Sequence, residues 1–216
     1  MKPLIVASVL LLAACAGGGA GAPPPERGPT IVSLNPCTDA ILAELAAPGQ
    51  LLAISHYSKD PRASSMEAAV AARFAATGGT VEEVLALDPD VVVAGSFLAP
   101  PTRAALAELG MEVVTFDIAA DVAASKEQIR DLAALAGDTP AGARLIARID
   151  AALAAAAPAD GESVATLLWQ PGGIVAGEQT LVSDLLVRTG FANAAPARGL
   201  SQADYVALED VVAAPP

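Results

Sequence analysis

The feature that most constrains the fold of this chain is an alternation of short apolar runs with longer helical stretches, which begins at Thr30. The short runs are rich in β-branched residues, as strands are, and the stretches between them have helical periodicity. The predicted strands are 30–34, 51–55, 91–93, 112–116 and 164–169, and the predicted helices are 38–45, 81–87, 101–109, 122–136, 141–157 and 181–188. Repeated strand-helix-strand units predict an α/β fold with parallel sheets.

The alternation stops between residues 121 and 157, where two helical stretches follow one another. Leu145, Ile149 and Leu153 are spaced four apart and form an apolar stripe on the second stretch. A helix of about 17 residues is about 25 Å long, which is enough to join two lobes. A long surface helix on a single domain would give the same pattern.

A short internal repeat indicates two equivalent lobes. Residues 81–89 recur in similar form as residues 208–216, at an offset of 127 positions. A strand run follows the first copy, whereas the sequence ends with the second, so we expect the C-terminal lobe to be incomplete. A chance similarity in an alanine-rich chain is the alternative. The predicted organisation is a signal segment and lipobox (1–15), a flexible linker (16–29), an N-terminal lobe (30–120), an interlobe helical segment (121–160) and a partial C-terminal lobe (161–216).

The N-terminus predicts export. Lys2 precedes an apolar run from Leu4 to Leu12, and two small residues then lead to Cys15. The tetrapeptide Leu-Ala-Ala-Cys at 12–15 resembles the bacterial lipobox, in which the cysteine becomes the lipid-modified first residue. An ordinary cleaved signal is the alternative. We therefore expect the mature protein in the periplasm, with a lipid anchor on Cys15 in the lipobox case.

Composition excludes several classes of function. The 54% hydrophobic fraction is mostly alanine, and no run after the N-terminus has the roughly 18 apolar residues of a membrane span. A net charge of −12 repels phosphate backbones, so we expect no nucleic-acid partner. We also expect no enzyme, because the chain has no Gly-x-Ser-x-Gly elbow, and Cys37, expected to be a small buried residue, is far in sequence from the lone His56.

Several segments together resemble the periplasmic solute-binding proteins for cobalamin, iron-siderophores and heme. The resemblance lies in Ile31–Pro36, Ser55–Ser58, Val81–Val93 and the segment around Glu209. It implies two Rossmann-like lobes with parallel sheets, joined by a single long rigid helix.

In function, the resemblance implies the monomeric solute-binding component of an ABC importer. Such a protein has no intrinsic cofactor or metal. It captures a corrinoid or an iron chelate and delivers it to a permease and its ATPase subunits. A heme-binding member is the alternative. Metal-cluster oxidoreductases have a similar architecture but need cysteine ligands that Cys37 alone cannot supply.

The resemblance also assigns ligand-binding residues. Tyr57 matches an aromatic residue of the ligand cleft in the cobalamin-binding member, and Trp169 lies near a second one. Tyr205 is out of register with a third by about two positions. Flat rings suit a corrin or porphyrin because they bury a large area with little loss of rotamer freedom. His56 is either a ligand of cobalt or iron or, as is more common, a hydrogen-bonded loop residue, and core packing is the alternative for Trp169.

Glu82 and Glu209 match two surface glutamates, one in each lobe, that meet arginines of the permease in this family. Both copies of the internal repeat keep the glutamate. Favourable interaction with the helix dipole is the alternative reason for an acidic residue at a helix start.

Overall fold

A computed structural model of the protein describes residues 28–158 and 163–216. The predicted signal segment, the lipobox with Cys15 and residues 16–27 lie outside the described residues. None of the helices within 28–158 and 163–216 is both long and apolar enough to cross a bilayer.

The first half of the chain forms a five-stranded parallel sheet in the order β3-β2-β1-β4-β5. Its strands are β1 (Ile31–Ser33), β2 (Leu51–Ser55), β3 (Ala75–Thr77), β4 (Val91–Gly95) and β5 (Glu112–Phe116). The central strands β1 and β4 pair in register from Ile31 with Val91 to Ser33 with Val93. The predicted α/β class and parallel sheet are confirmed.

Helices cover both faces of this sheet. They are α1 (Pro36–Leu45), α2 (Ala68–Ala71), α3 (Val81–Leu87), α4 (Pro100–Glu108), α5 (Val122–Ala136) and α6 (Thr139–Ala156). Helix α1 begins two residues before the predicted start, because Asn35 caps it through a hydrogen bond from the Cys37 amide and Pro36 suits the first helical position.

Alternation along the central strands separates two cores. Ile31 and Val93 point into a cluster that contains Leu42 of α1 and Leu132 of α5. Val32 and Val92 point into a second cluster with residues of α3 and α4. Successive side chains of a strand face opposite sides, so strands covered on both faces are apolar throughout.

Helix α2 and strand β3 were not predicted from the sequence. The strand consists of Ala75, Ala76 and Thr77. Alanine has little preference for strands, so the sequence gives no strand signal here. It forms because it pairs with β2, Ala53 opposite Ala75 and Ser55 opposite Thr77. This pairing completes the edge of the sheet beside the loop that carries His56 and Tyr57.

Helices α5 and α6 form a closely packed hairpin. Gly137 ends α5 in the left-handed conformation, and the Asp138 carboxylate caps α6 through the Ala141 amide. A β-carbon on Gly142 would lie 2.5 Å from the Ala133 β-carbon, so only glycine fits there. Both helices contact α1, and α6 then leads towards the second part of the chain.

Residues 163–216 form two short sheets and two helices. Strands β6 (Val164–Thr166) and β8 (Phe191–Asn193) are parallel, whereas β7 (Ile174–Val175) and β9 (Asp204–Tyr205) are antiparallel. The helices are α7 (Leu181–Arg188) and α8 (Leu208–Ala213). Strand β6 ends three residues before the predicted end, because Trp169 pairs with Val175 in the antiparallel direction. The Val122 amide of α5 donates to the Asp184 carboxylate of α7 at 2.8 Å.

Candidate functional site

The order of the strands defines where a ligand can bind. The chain proceeds from β1 outward to β3 and then returns to β4 on the other side of β1. At such a switch point the loops at the carboxyl ends of the two strands diverge and leave a crevice, which is the usual ligand site of open α/β sheets. Here the switch point lies between Asn35, after β1, and Ser96, after β4.

Tyr57 lies at the carboxyl end of β2, in a 3₁₀-helix that runs from His56 to Lys59. The Ser55 hydroxyl caps this turn by accepting from the Tyr57 amide at 3.3 Å. Ser58 is buried, and the Lys59 ammonium donates to the Ala71 and Phe74 carbonyls. Tyr57 itself is 55% exposed. The turn is therefore fixed to the protein on both sides of the ring.

His56 supports this ring from one side. Its Nδ1 atom lies 3.3 Å from the Thr77 carbonyl, and its ring centroid is 4.0 Å from that of Tyr57 at an interplanar angle of 35°. The Thr77 hydroxyl and the Gly78 amide in turn donate to the Glu83 carboxylate. His56 thus has the contacts of a hydrogen-bonded loop residue. Donation from Nδ1 to the carbonyl leaves Nε2 as the free ring nitrogen.

Two exposed apolar residues at the same edge were missed in the sequence. Phe97 follows β4 and is 69% exposed, and Ile118 follows β5 and is 81% exposed. The Phe97 ring folds over Gly95, where a β-carbon would lie 2.6 Å from both the ring and Asn35 Nδ2. The signal was available: like Tyr57, Phe97 comes directly after a buried strand. A cavity of about 460 Å³ lies beside the end of β5 and includes Ile118 in its wall.

Trp169 is partly buried and serves as a link within the second part of the chain. Its indole Nε1 donates to the Val206 carbonyl at 2.9 Å, just before α8 begins. This bond satisfies the polar atom that a buried tryptophan must pair. The structure places Trp169 in a packing position close to the Tyr205 segment.

Tyr205 is 68% exposed, and its ring packs next to Gly173. A β-carbon on Gly173 would overlap the Tyr205 ring, and Gly173 is left-handed at φ +85°. Tyr205 is therefore presented to solvent in a defined position, as Tyr57 is in the first part of the chain.

Glu82 and Glu209 occupy the same place in their helices. Each is the second residue of a helix, α3 and α8 respectively, and each is exposed. Thr80 caps α3 through the Glu83 amide, whereas Ala207 at the start of α8 offers no side-chain cap. Because α3 begins shortly after β3 ends, Glu82 lies near the carboxyl edge of the sheet, as Tyr57 does.

Asp39 is the buried charged group of this region. Its carboxyl is fully buried, and burial raises its pKa to about 7 against the lowering effect of the nearby Ser33 and Ser58 hydroxyls and the Ser55 amide. Cys37 is exposed, which corrects the expectation that it is buried. Desolvation, and then the Asp39 charge, raise the pKa of its thiol, so Cys37 is a weak nucleophile at neutral pH.

The carboxyl edge of the sheet therefore carries exposed rings and aliphatic side chains at several strand ends. Such a surface can bind the apolar face of a large planar molecule. No cluster of three or more histidine, cysteine or acidic side chains able to hold a metal occurs in the part of the chain that the structure describes.

Comparison with known proteins gives a consistent result. A family model described as periplasmic binding protein matches residues 31–216. No curated protein sequence matches the chain. The fold is similar to that of a periplasmic heme-binding protein from Roseiflexus sp. RS-1, with a TM-score of 0.69 and 24% identity over 88% of this chain and 74% of that one.

Two further structures have the same fold. A periplasmic heme-binding protein from Pseudomonas aeruginosa is 22% identical, with a TM-score of 0.66 over 86% of this chain and 68% of that one. The periplasmic vitamin B12 binding protein of Vibrio cholerae is 18% identical, with a TM-score of 0.63 over 87% of this chain and 73% of that one.

Proposed function

The chain belongs to the periplasmic binding protein family, and from that premise we propose that it captures a cobalamin or an iron-siderophore for an ABC importer. The family consists of substrate-binding transport proteins. The observation that carries the choice of ligand class is the exposed Tyr57 ring, which is held at the carboxyl end of β2 by a fixed turn. A ring that is both exposed and fixed loses little entropy when a ligand covers it.

The neighbouring side chains support a bulky ligand. Phe97 and Ile118 add exposed apolar surface at the ends of β4 and β5. Tyr205 is a fourth exposed side chain of this kind, in the second part of the chain. A corrin or an iron chelate is large enough to contact several such side chains, whereas a sugar or an amino acid would need directional polar partners.

Heme is the second candidate, and His56 favours it. Its Nδ1 is engaged with the Thr77 carbonyl, so Nε2 is the nitrogen available to a metal. A histidine whose other nitrogen binds a carbonyl has the usual arrangement of a metal ligand. Structures of similar fold include heme-binding proteins as well as a vitamin B12 binding protein.

A titration with three ligands tests the proposal. Cyanocobalamin, hemin and a ferric hydroxamate siderophore would each be added to the purified protein, with Trp169 fluorescence and visible absorbance as readouts. Cobalamin or siderophore binding with micromolar or tighter affinity supports the proposal. A shifted Soret band with hemin that is lost in His56→Ala favours the second candidate. Failure of all three ligands to bind contradicts both.

Delivery requires a docking surface, and Glu82 and Glu209 are its proposed centres. Both are exposed and equivalently placed, one in each part of the chain. One such carboxylate in each part of the chain suits a pair of arginines on a two-fold symmetric permease, which acts with its ATPase subunits. We propose that the protein is a monomer and that it binds the permease through this surface.

We also propose that a lipid on Cys15 holds the protein at the membrane, with residues 16–29 as the tether. Cys15→Ser would then release the protein into the soluble periplasmic fraction and remove labelling by radioactive palmitate. Unchanged membrane association in Cys15→Ser would contradict the anchor.

A further inference from the structure

Asp39 carries a carboxyl group at a position that is closed to solvent. It lies in the first turn of α1, between the sheet and the turn that carries Tyr57, and is fully buried. A buried carboxyl group is destabilising unless it is hydrogen-bonded, and apolar residues of similar size usually serve such a position better.

Both hydrogen bonds of Asp39 go to the turn around Tyr57. Its Oδ2 atom accepts from the Ser55 amide at 2.9 Å and from the Ser58 hydroxyl at 2.6 Å. Its Oδ1 atom has no hydrogen-bond partner among the described residues. One oxygen therefore joins the residue two places before the ring to the residue immediately after it.

The link to Tyr57 is direct. The Ser55 residue that Asp39 holds also accepts from the Tyr57 amide through its hydroxyl. The Ser58 side chain that Asp39 holds is buried, which anchors the other side of the turn. Loss of the Asp39 acceptor would leave the buried Ser55 amide and Ser58 hydroxyl unpaired, and the turn would have to move to pair them.

We propose that Asp39 is a positioning residue, which fixes the Tyr57 ring in its ligand-facing orientation before any ligand arrives. The inference rests on the proposed function for the role of Tyr57, but the position of the ring is measurable without a ligand. Fixing the ring in advance lowers the entropy lost on binding and so increases affinity.

The test follows the ring itself by ¹⁹F NMR. The chain has two tyrosines, so 3-fluorotyrosine gives two resonances, and Tyr57→Phe assigns them. We expect Asp39→Ala to shift or broaden the Tyr57 resonance and leave that of Tyr205 unchanged. We expect Asp39→Asn to resemble the wild type, because an amide oxygen can accept the same two bonds.

Affinity for cyanocobalamin and for hemin, used as probes, is measured on the same variants. For the probe that binds, Asp39→Ala should weaken binding by about tenfold and Asp39→Asn by much less. Thr38→Val is the matched control, since Thr38 is buried next to Asp39 but bonds to Ser33 and not to the turn. It should leave both the Tyr57 resonance and the affinity unchanged.

Three results would overturn the inference: a Tyr57 resonance unchanged in folded Asp39→Ala, an Asp39→Asn variant as disturbed as Asp39→Ala, or a Thr38→Val variant with the same disturbance. If Asp39→Ala does not fold, Ser58→Ala removes one of the two bonds and must move the Tyr57 resonance. If Tyr57→Ala binds the probe as well as the wild type, the proposed site fails, whereas the resonance experiment still decides what Asp39 does.

Discussion

At the scale of single residues, Tyr57 is exposed because its neighbours are engaged. Ser58 bonds to Asp39, Lys59 to two carbonyls of the segment before β3, and His56 to the Thr77 carbonyl. Among the described residues, the aromatic contact of the ring is with the imidazole beside it. An exposed aromatic residue on a turn held in this way fits the proposed role in ligand binding, because its ring adds little to the core.

We expect Tyr57→Ala to weaken ligand binding by about 1–3 kcal/mol, which is about 5- to 150-fold, and to leave folding nearly unchanged. The reason is that the ring is exposed in the free protein and becomes buried only under the ligand. Isothermal titration with whichever of cyanocobalamin, hemin and the siderophore binds the wild type measures this loss of affinity. Leu109→Ala is the control, since Leu109 is 51% exposed at the end of α4, on the opposite edge of the sheet. An unchanged dissociation constant in Tyr57→Ala would remove Tyr57 from the site.

Asp39 also predicts a dependence of stability on pH. Its pKa rises from an ordinary 3.8 to about 7 on folding, so the folded state favours the protonated form. The stability that this group contributes is fully present below pH 4 and is lost as pH rises towards 7. Asp39→Asn removes this loss, so its free energy of unfolding relative to the wild type should increase across that range, by roughly 4 kcal/mol at most.

Urea unfolding of both proteins at pH 4.5, 6 and 8 measures this difference. A constant difference between the two proteins over the series would show that Asp39 does not titrate in this range.

At the scale of secondary-structure elements, the α5-α6 hairpin is built on one close contact. Ala133 and Gly142 meet where a larger residue has no space, and the adjoining residues Leu132 and Ala136 bury against the first sheet. Asp184 of α7 caps the first turn of α5, so the same helix also touches the second part of the chain. The hairpin thus packs on the sheet at one place and bonds to α7 at another.

We expect Gly142→Ala to destabilise the protein by about 1–3 kcal/mol, because the added methyl group must push α5 and α6 apart. Combination with Ala133→Gly should recover part of this loss, since it removes the methyl group on the other side of the contact. Denaturant unfolding of the two single variants and the double variant gives the coupling between the sites. Purely additive changes in the free energy of unfolding would mean that the contact between Gly142 and Ala133 is not the cause of the destabilisation.

At the scale of the whole molecule, both acidic helix starts, in α3 and α8, are exposed. Glu82 and Tyr57 both lie near the carboxyl edge of the first sheet. Glu209 is four residues after Tyr205 in the sequence. In each part of the chain, therefore, an exposed glutamate proposed for docking accompanies an exposed aromatic residue proposed for ligand contact.

We expect Glu82→Arg, and separately Glu209→Arg, to weaken association with the permease by at least about tenfold while ligand affinity stays the same. Charge reversal removes an attraction to arginine and adds a repulsion. Association with the permease in nanodiscs is measured beside ligand titration in solution. Glu112→Arg is the control, an exposed glutamate at the start of β5 and thus on the opposite edge of the sheet. If the Glu82→Arg variant binds the permease as tightly as the Glu112→Arg control, Glu82 has no role in docking and serves only to favour the start of its helix.

The sequence alone determined the elements whose stability is local or depends on a simple period. The strands β1, β2 and β4 are mostly apolar runs because both faces are covered, β5 is recognisable by its β-branched residues, and α5 is bounded by the Asp121 cap and by Gly137. The same pattern placed His56 and Tyr57 directly after a strand, and hence at the carboxyl edge of a parallel sheet.

Only the tertiary structure decided the features that depend on partners distant in sequence. Strand β3 exists because β2 offers it a pairing edge, and Trp169 is engaged because the Val206 carbonyl lies within reach of its indole. The role of Asp39 follows from a bond across 16 residues to Ser55 and one across 19 residues to Ser58. Local propensity contains no information on such contacts, since they arise only when the folded chain brings the helix and the turn together.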